Sequence, residues 1–288
     1  MMLRTIKCKN QEGAEITFTE SGFNPFVLAK ANGIYDVTNN VYMQDNTLLD
    51  GSTYIGSVMA KRNIVLYLKD IDNYAANREL LDNVFRRGLI GVLTVQDEDH
   101  EREIEYFVES LAVTMKKNCR LTQVSLLCPD PHFYDPNGIN FRIMDIQPQL
   151  EFPHEFVEEG EEFSYVNTDM IATINNTSGD NDIGLTISIT ATGTVTNPSV
   201  TKIETNETLA LSGFSLSAGD TLVFTTTTGK KNVCLISGNT TTDVNQYLTD
   251  ASVFFQLTSG VNHFGVDASS GKSYMRTTIS CRYKYMRA

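Results

Sequence analysis

The stretch Cys128-Pro-Asp-Pro-His-Phe-Tyr-Asp-Pro136 places three of the chain's seven prolines within nine residues, directly after the apolar run Leu121 to Leu127. Proline donates no ladder hydrogen bond and drives the residue before it toward extended geometry, so a central strand has to stop there. Before this point lies the clearest helical pattern of the chain. Beyond it, past an acidic run, the pattern is Thr- and Gly-rich and β throughout. The stretch reads either as the end of a first domain or as a Pro-rich loop inside a single one. The composition shift favours the first reading, with a domain over 1–150, an acidic connector over 151–165 and a second domain over 166–288. A chain of 288 residues can bury two separate cores.

The formal net charge of −12 is spread over both halves, and no basic patch interrupts it, so a nucleic-acid partner is not expected. No apolar run approaches the roughly 18–20 residues needed to span a bilayer, and no membrane partner is expected. The opening Met1-Met-Leu-Arg-Thr-Ile-Lys-Cys8 lacks the apolar core of an export signal. Asn175, Asn176, Asn206 and Asn239 fit the glycosylation pattern but, without export, read as ordinary strand ends. The five cysteines (Cys8, Cys119, Cys128, Cys234, Cys281) are odd in number, scattered and without a Cys-x-x-Cys. That is the usage of reduced cytosolic thiols serving as small apolar residues. With four scattered histidines, neither a metal site nor a cofactor is expected.

In the first domain, Met2 to Lys7 and Ala14 to Phe18 read as a hairpin around the turn Gln11-Glu-Gly13. Residues 20–53 are irregular, punctuated by Gly22, Asn24-Pro25, Asn32-Gly33 and Asn39-Asn40, as in loops that contact something. Tyr54 to Val58 and Asn63 to Leu68 resume strand character. A helix is expected over about 73–87: Asp72 or Asn73 caps it, Tyr74, Asn77, Leu81 and Val84 or Phe85 make its inner stripe, Arg86 and Arg87 compensate its dipole, and Gly88 follows it. Further strands are Leu89 to Val95, Glu103 to Val108 and Arg120 to Leu127. Between them, Asp97, Glu98, Asp99 and Glu101 lack the spacing of a calcium loop and read as a solvated tip. The expected architecture is a small α+β domain, a barrel-like sheet closed by its one helix.

His154 to Glu162 carries five glutamates in nine residues, a solvated linker or exposed edge. Afterwards the period is 2. Ile183, Leu185, Ile187 and Ile189 alternate with small polar residues, and turns are expected at Thr196-Asn-Pro-Ser199, Ser217-Ala-Gly-Asp220, Thr228-Gly-Lys-Lys231 and Gly260-Val-Asn262. Ser252 to Leu257 reads as a strand, and Met275 to Tyr285 as a terminal one with a basic wet side. Turns every 8–12 residues or so predict an antiparallel β-sandwich, so the chain as a whole is mainly β.

No Gly-x-Ser-x-Gly elbow, Walker-type loop or His-Glu-x-x-His is present, and carboxylate pairs occur anywhere in an acidic chain, so no enzyme and no catalytic residue is expected. A carbohydrate- or receptor-binding module acting through the sandwich is the competing class. It has to manage without Trp; Tyr247, Phe254, Phe255, Phe264 and Tyr274 are the aromatic residues at hand, and Tyr247 is the candidate ligand-binding residue.

Several patches, in order along nearly the whole chain, resemble the distal tail proteins of bacteriophages with long, non-contractile tails (siphophages). Arg62-Asn-Ile-Val-Leu-Tyr-Leu68, Arg78-Glu-Leu-Leu81 and Gly91-Val-Leu-Thr-Val95 resemble that family's N-terminal belt domain, and Cys128 to Asp135 resembles its ending. Gly193 to Pro198, Leu216 to Leu222 and Phe255 to Asn262 resemble its galectin-like sandwich. The resemblance implies a virion structural protein of the tail tip or baseplate, made in the bacterial host cytoplasm. It implies self-association into a hexameric ring by the N-terminal domains, with the sandwiches outward. Such a ring joins the tail tube protein to the tail-associated hub protein and supports host adhesion, through receptor-binding proteins or a host-surface glycan.

Overall fold

The computed structural model describes residues 5–19, 25–46, 50–70, 73–97, 100–116, 119–143, 146–148, 164–166, 170–177 and 182–288. The chain divides into two compact units, Met1–Pro136 with Lys284–Ala288, and Asn137–Tyr283. The division falls after the Pro-rich stretch rather than near residue 150, because the strand that follows at once pairs in the second unit.

The first unit contains β1 (Thr5–Asn10), β2 (Glu15–Thr19), β3 (Val27–Asn32), β4 (Asn39–Asp45), β5 (Ser52–Met59), β6 (Arg62–Asp70), α1 (Tyr74–Val84), β7 (Ile90–Gln96), β8 (Glu101–Lys116), β9 (Cys119–Cys128) and β10 (Phe133–Tyr134). The main sheet runs β8-β7-β1-β2-β3-β6-β9, and β9 pairs back onto β8, so the sheet closes on itself. Among the described residues its pairings are antiparallel except for one parallel pair, Thr19 with Val27. Alternation puts Ile6 and Cys8, Ile16 and Phe18, Ile64, Leu66 and Leu68, Leu93 and Val95, and Val124 and Leu126 inside. The expected barrel-like sheet is the one found.

Helix α1 buries Asn77, Leu81 and Val84 against this core. It is shorter than its sequence pattern. Asn73 is left-handed (φ 51°) without a side-chain cap, and Phe85 ends the helix, so Arg86 lies beyond the last turn and pairs with Glu12 at 2.7 Å. Asn10 supplies the missing cap at the other end, its Nδ2 donating to the carbonyls of Asn83 (2.9 Å) and Val84 (3.3 Å). Buried Asp70 accepts from Asn77 (2.8 Å) and Arg120 (2.6 Å), which fixes α1 to β6 and β9. Asp72, Glu98 and Asp99 lie outside the described residues.

The second unit contains β11 (Ile139–Ile143), β12 (Ile146–Pro148), β13 (Ser164–Val166), β14 (Ile171–Asn176), β15 (Leu185–Ala191), β16 (Val195–Lys202), β17 (Glu207–Ala210), β18 (Ser215–Leu216), β19 (Thr221–Thr225), β20 (Asn232–Ser237), β21 (Thr240–Asp243), β22 (Gly260–Ser270) and β23 (Met275–Cys281). Two antiparallel sheets, β11-β23-β15-β19-β20-β21 and β14-β22-β16-β17 with β18 beside β16, share one core. Leu185, Ile187 and Ile189, Leu222 and Phe224, Phe264 and Val266, and Met275 and Ile279 fill it. This is a sandwich. Glu155 to Glu162 lies between β12 and β13, outside the described residues.

Four local expectations change. Thr196 to Ser199 continues β16 instead of turning: Asn197 takes a positive φ (49°) and the ladder skips it, pairing Thr196 with Ser270 and Pro198 with Ala268. The register is the same on both sides, so this is a local break in the ladder, and a strand tolerates proline where a ladder bond is already missing. Ser252 to Leu257 is not a strand; only Leu257 makes an isolated bridge, to Ile183, while Phe255 and Leu257 are buried. Gly260 to Asn262 opens β22 rather than turning the chain. The terminal strand stops at Cys281. A separate β24 (Lys284–Tyr285) then pairs with β10, Phe133 facing Tyr285, back in the first unit.

Candidate functional site

The stretch 39–59, irregular by sequence up to residue 53 and strand-like from Tyr54 to Val58, forms a two-stranded ribbon, β4–β5, that pairs with no other strand among the described residues. Its register runs from Asn39 opposite Met59 to Asp45 opposite Ser52, with Ile55 the extra residue at a bulge between Tyr42 and Met43. Tyr42 and Val58 lie on one face, and Val41, Met43 and Tyr54 on the other. All five are exposed, as is Ile55, at 51–65%. An isolated hairpin is at best marginal in water, and a cluster of uncovered apolar side chains marks an interaction surface.

The ribbon stands on a rigid root. Gly33 (φ 83°) packs so tightly on β6 that a Cβ there would lie 2.1 Å from the Asn63 carbonyl oxygen. Ile34 is buried in the core, and the Ala60 N–H closes the base by donating to the Thr38 carbonyl (3.0 Å). A second open surface lies on β8. Its first half pairs with β7 and its second half only with β9, so from Glu109 to Lys116 one edge carries no strand among the described residues. Leu111, Val113 and Met115 alternate along it, with Met115 69% exposed. Unpaired edges of this kind are templates for strand addition by another chain.

Tyr247 sits in a short helical turn of the second unit, 37% exposed. Its ring packs on Phe214 with centroids 5.1 Å apart. Of the other aromatic residues, Phe255 and Phe264 are buried and stack on each other at 5.6 Å, so they belong to the core, while Tyr274 is exposed. The outward face of the six-stranded sheet bears Thr186, Ser188 and Thr190 opposite Ser280, Thr278 and Arg276, and opposite Thr225, Val223 and Thr221. It is a wall of hydroxyl groups.

The titratable groups have structural explanations. Burial pushes the thiols of Cys8, Cys128 (to about 12) and Cys281 (to about 11) up, which keeps them as inert small apolar groups. Burial would also raise the Asp130 carboxyl, but hydrogen bonds from His132 (2.7 Å) and Tyr134 (2.5 Å) outweigh it and hold the group at about 2. The buried Lys202 ammonium donates to the Gln256 carbonyl (2.8 Å) and Thr258 Oγ1 (3.1 Å). Among the described residues, no group of three or more His, Cys, Asp or Glu is placed to hold a metal ion.

Residues 178–285 match the family model described as siphovirus-type tail component, C-terminal domain. A search of curated proteins returned no match. Among solved structures, the chain is similar to the SPP1 Dit protein, described as a paradigm of the hub adsorption apparatus in phages infecting Gram-positive bacteria. That likeness has a TM-score of 0.70 at 13% identity and covers 97% of this chain and 99% of that one. It is also similar to a chain of the phage P2 baseplate in its activated conformation, with calcium (TM-score 0.55, 11% identity) and with strontium (0.53, 10%), each covering 100% of both chains. The chain thus has the fold of the SPP1 Dit protein along nearly its whole length, and residues 178–285 carry the sequence pattern of the siphovirus-type tail component's C-terminal domain.

Proposed function

We propose that the protein is a structural component of a siphophage-type tail tip, a distal tail protein that forms a hexameric ring between tail tube and baseplate hub and supports host-adhesion components. The observation that carries this reading is the apolar β4–β5 ribbon, exposed on both faces, in the same unit as an open edge on β8. Ribbon and edge are complementary in kind: strand edges with apolar side chains that a neighbouring copy can cover. A contact between two different patches is head-to-tail and generates a closed ring when its rotation fits. In this reading the first unit makes the ring and the sandwich faces the adhesion components. The work is assembly, which calls for no catalytic group and no cofactor.

Mass photometry of the purified protein, with negative-stain images, tests it. Particles of six times 32.1 kDa with a central channel are expected. A monomer at high concentration together with no ring in assembled tails would overturn the proposal. The second reading, glycan binding by the sandwich, is favoured by the hydroxyl wall of the six-stranded sheet and by half-exposed Tyr247. Glycan-array binding lost in Tyr247→Ala is its signature; an array blank for the wild-type chain counts against it.

A further inference from the structure

Arg62 opens β6, and only 6% of it is exposed. Its guanidinium donates to five carbonyl oxygens: Gly33 (2.7 Å), Ile34 (3.2 Å) and Asp36 (2.7 Å) in the ribbon root, Pro131 (2.7 Å) in the Pro-rich exit, and Met286 (2.5 Å) in the segment that returns after the sandwich. Phe133 of β10 lies under it at 5.1 Å. A buried guanidinium needs every donor satisfied, so its partners are ordered as a set. The returning segment has its own anchors: β24 pairs with β10, Arg102 stacks on Tyr285 at 3.4 Å, and Ala288 packs on the core.

We propose that residues 284–288 are a clasp which, through Arg62, sets the root of the β4–β5 ribbon, so that the first unit gains its assembly surface only after the segment beyond the sandwich has docked. The ribbon is then conditional on chain lying 224 residues downstream of Arg62. A chain cut short inside the sandwich makes every residue of the ribbon yet cannot present it in the form a neighbour accepts. The assembly half of the proposal rests on the ring reading above; the coupling half does not.

Amide hydrogen exchange and mass photometry on the full chain and on a chain ending at Tyr283 separate the two halves. The reporters are the Gly33 and Ala60 amides, which donate to Asp36 Oδ2 (3.1 Å) and the Thr38 carbonyl (3.0 Å). In the shortened chain both are expected to exchange at least tenfold faster, with β15 amides unchanged, and the oligomer fraction at equal concentration is expected to fall at least tenfold. Root amides that keep full-chain protection overturn the clasp, whatever the oligomer does. If the root loosens but assembly is unaffected, the licensing role is overturned. A full chain that never assembles removes the ring reading and leaves the exchange result to decide the coupling. Should the shortened chain lose the whole first unit, full-length Tyr285→Gly decides: root and tail amides accelerating together support the clasp, and a loosened tail over an unchanged root refutes it.

Discussion

The two units solve the same problem, a sheet with an apolar face, in opposite ways. The sandwich lays one sheet on another, buries Leu185, Ile187 and Ile189 with Phe224 and Phe264, and turns rows of Thr and Ser outward on its six-stranded sheet. The first unit closes its sheet around Phe18, Leu66 and Val124, then leaves a ribbon and half of β8 uncovered, with Met43, Ile55 and Met115 each more than 60% exposed. In the proposed ring that uncovered surface is the contact between copies, so stability and assembly rest on separate residues and should respond to separate mutations.

The strongest way to break that separation is in the sandwich core. Phe224→Ala should cost about 3–5 kcal/mol by urea unfolding of the second unit. The first unit's transition should stay in place; a joint loss would mean that the two cores fold as one. Next comes Gly33→Ala, where a methyl would meet the Asn63 carbonyl in a left-handed backbone. A loss of about 2–4 kcal/mol confined to the first unit is expected, with β15 amide exchange as the control. A smaller effect is tied to acid. The Asp130 carboxyl is held at about 2, below its unfolded value near 4. Its contribution is therefore present above pH 4 and lost as pH falls through 2. The side chain is half exposed, so screening reduces this to about 1 kcal/mol. Asp130→Asn should flatten that acid limb in the first unit and leave the sandwich's unchanged. The smallest stability effect should come with the largest assembly effect. Met43→Ser with Ile55→Ser should shift monomer stability by no more than about 0.5 kcal/mol and abolish the ring in mass photometry. Rings at wild-type concentration would mean that the ribbon is not the contact.

Much of the architecture was legible in side-chain period. Ile183 to Ile189 and Met275 to Cys281 alternate as strands buried on one face must, and Asn77, Leu81 and Val84 mark the inner face of α1. What escaped had no such signature. The ribbon puts apolar residues on both faces and buries neither, so Val41, Tyr42 and Met43 run consecutively and read as loop. Asn197 absorbs Pro198 through a positive φ, which no pattern of apolar residues announces. The departure of β24 from β23 was hidden because Tyr283 and Tyr285 extend the alternation of Met275 to Cys281 while the backbone changes partners. The Arg62 contacts join positions up to 224 residues apart, and only the folded chain brings them together.

The pairing of Phe133 with Tyr285 has a consequence for how such a chain can diversify. The whole of 137–283 leaves and re-enters through two neighbouring antiparallel strands, whose facing Cα atoms lie about 5 Å apart. To the host barrel, that insertion is a hairpin loop of arbitrary size. Loop-closure entropy rises only with the logarithm of length, so a very different module whose ends meet could be grafted into the same socket at little cost to the barrel.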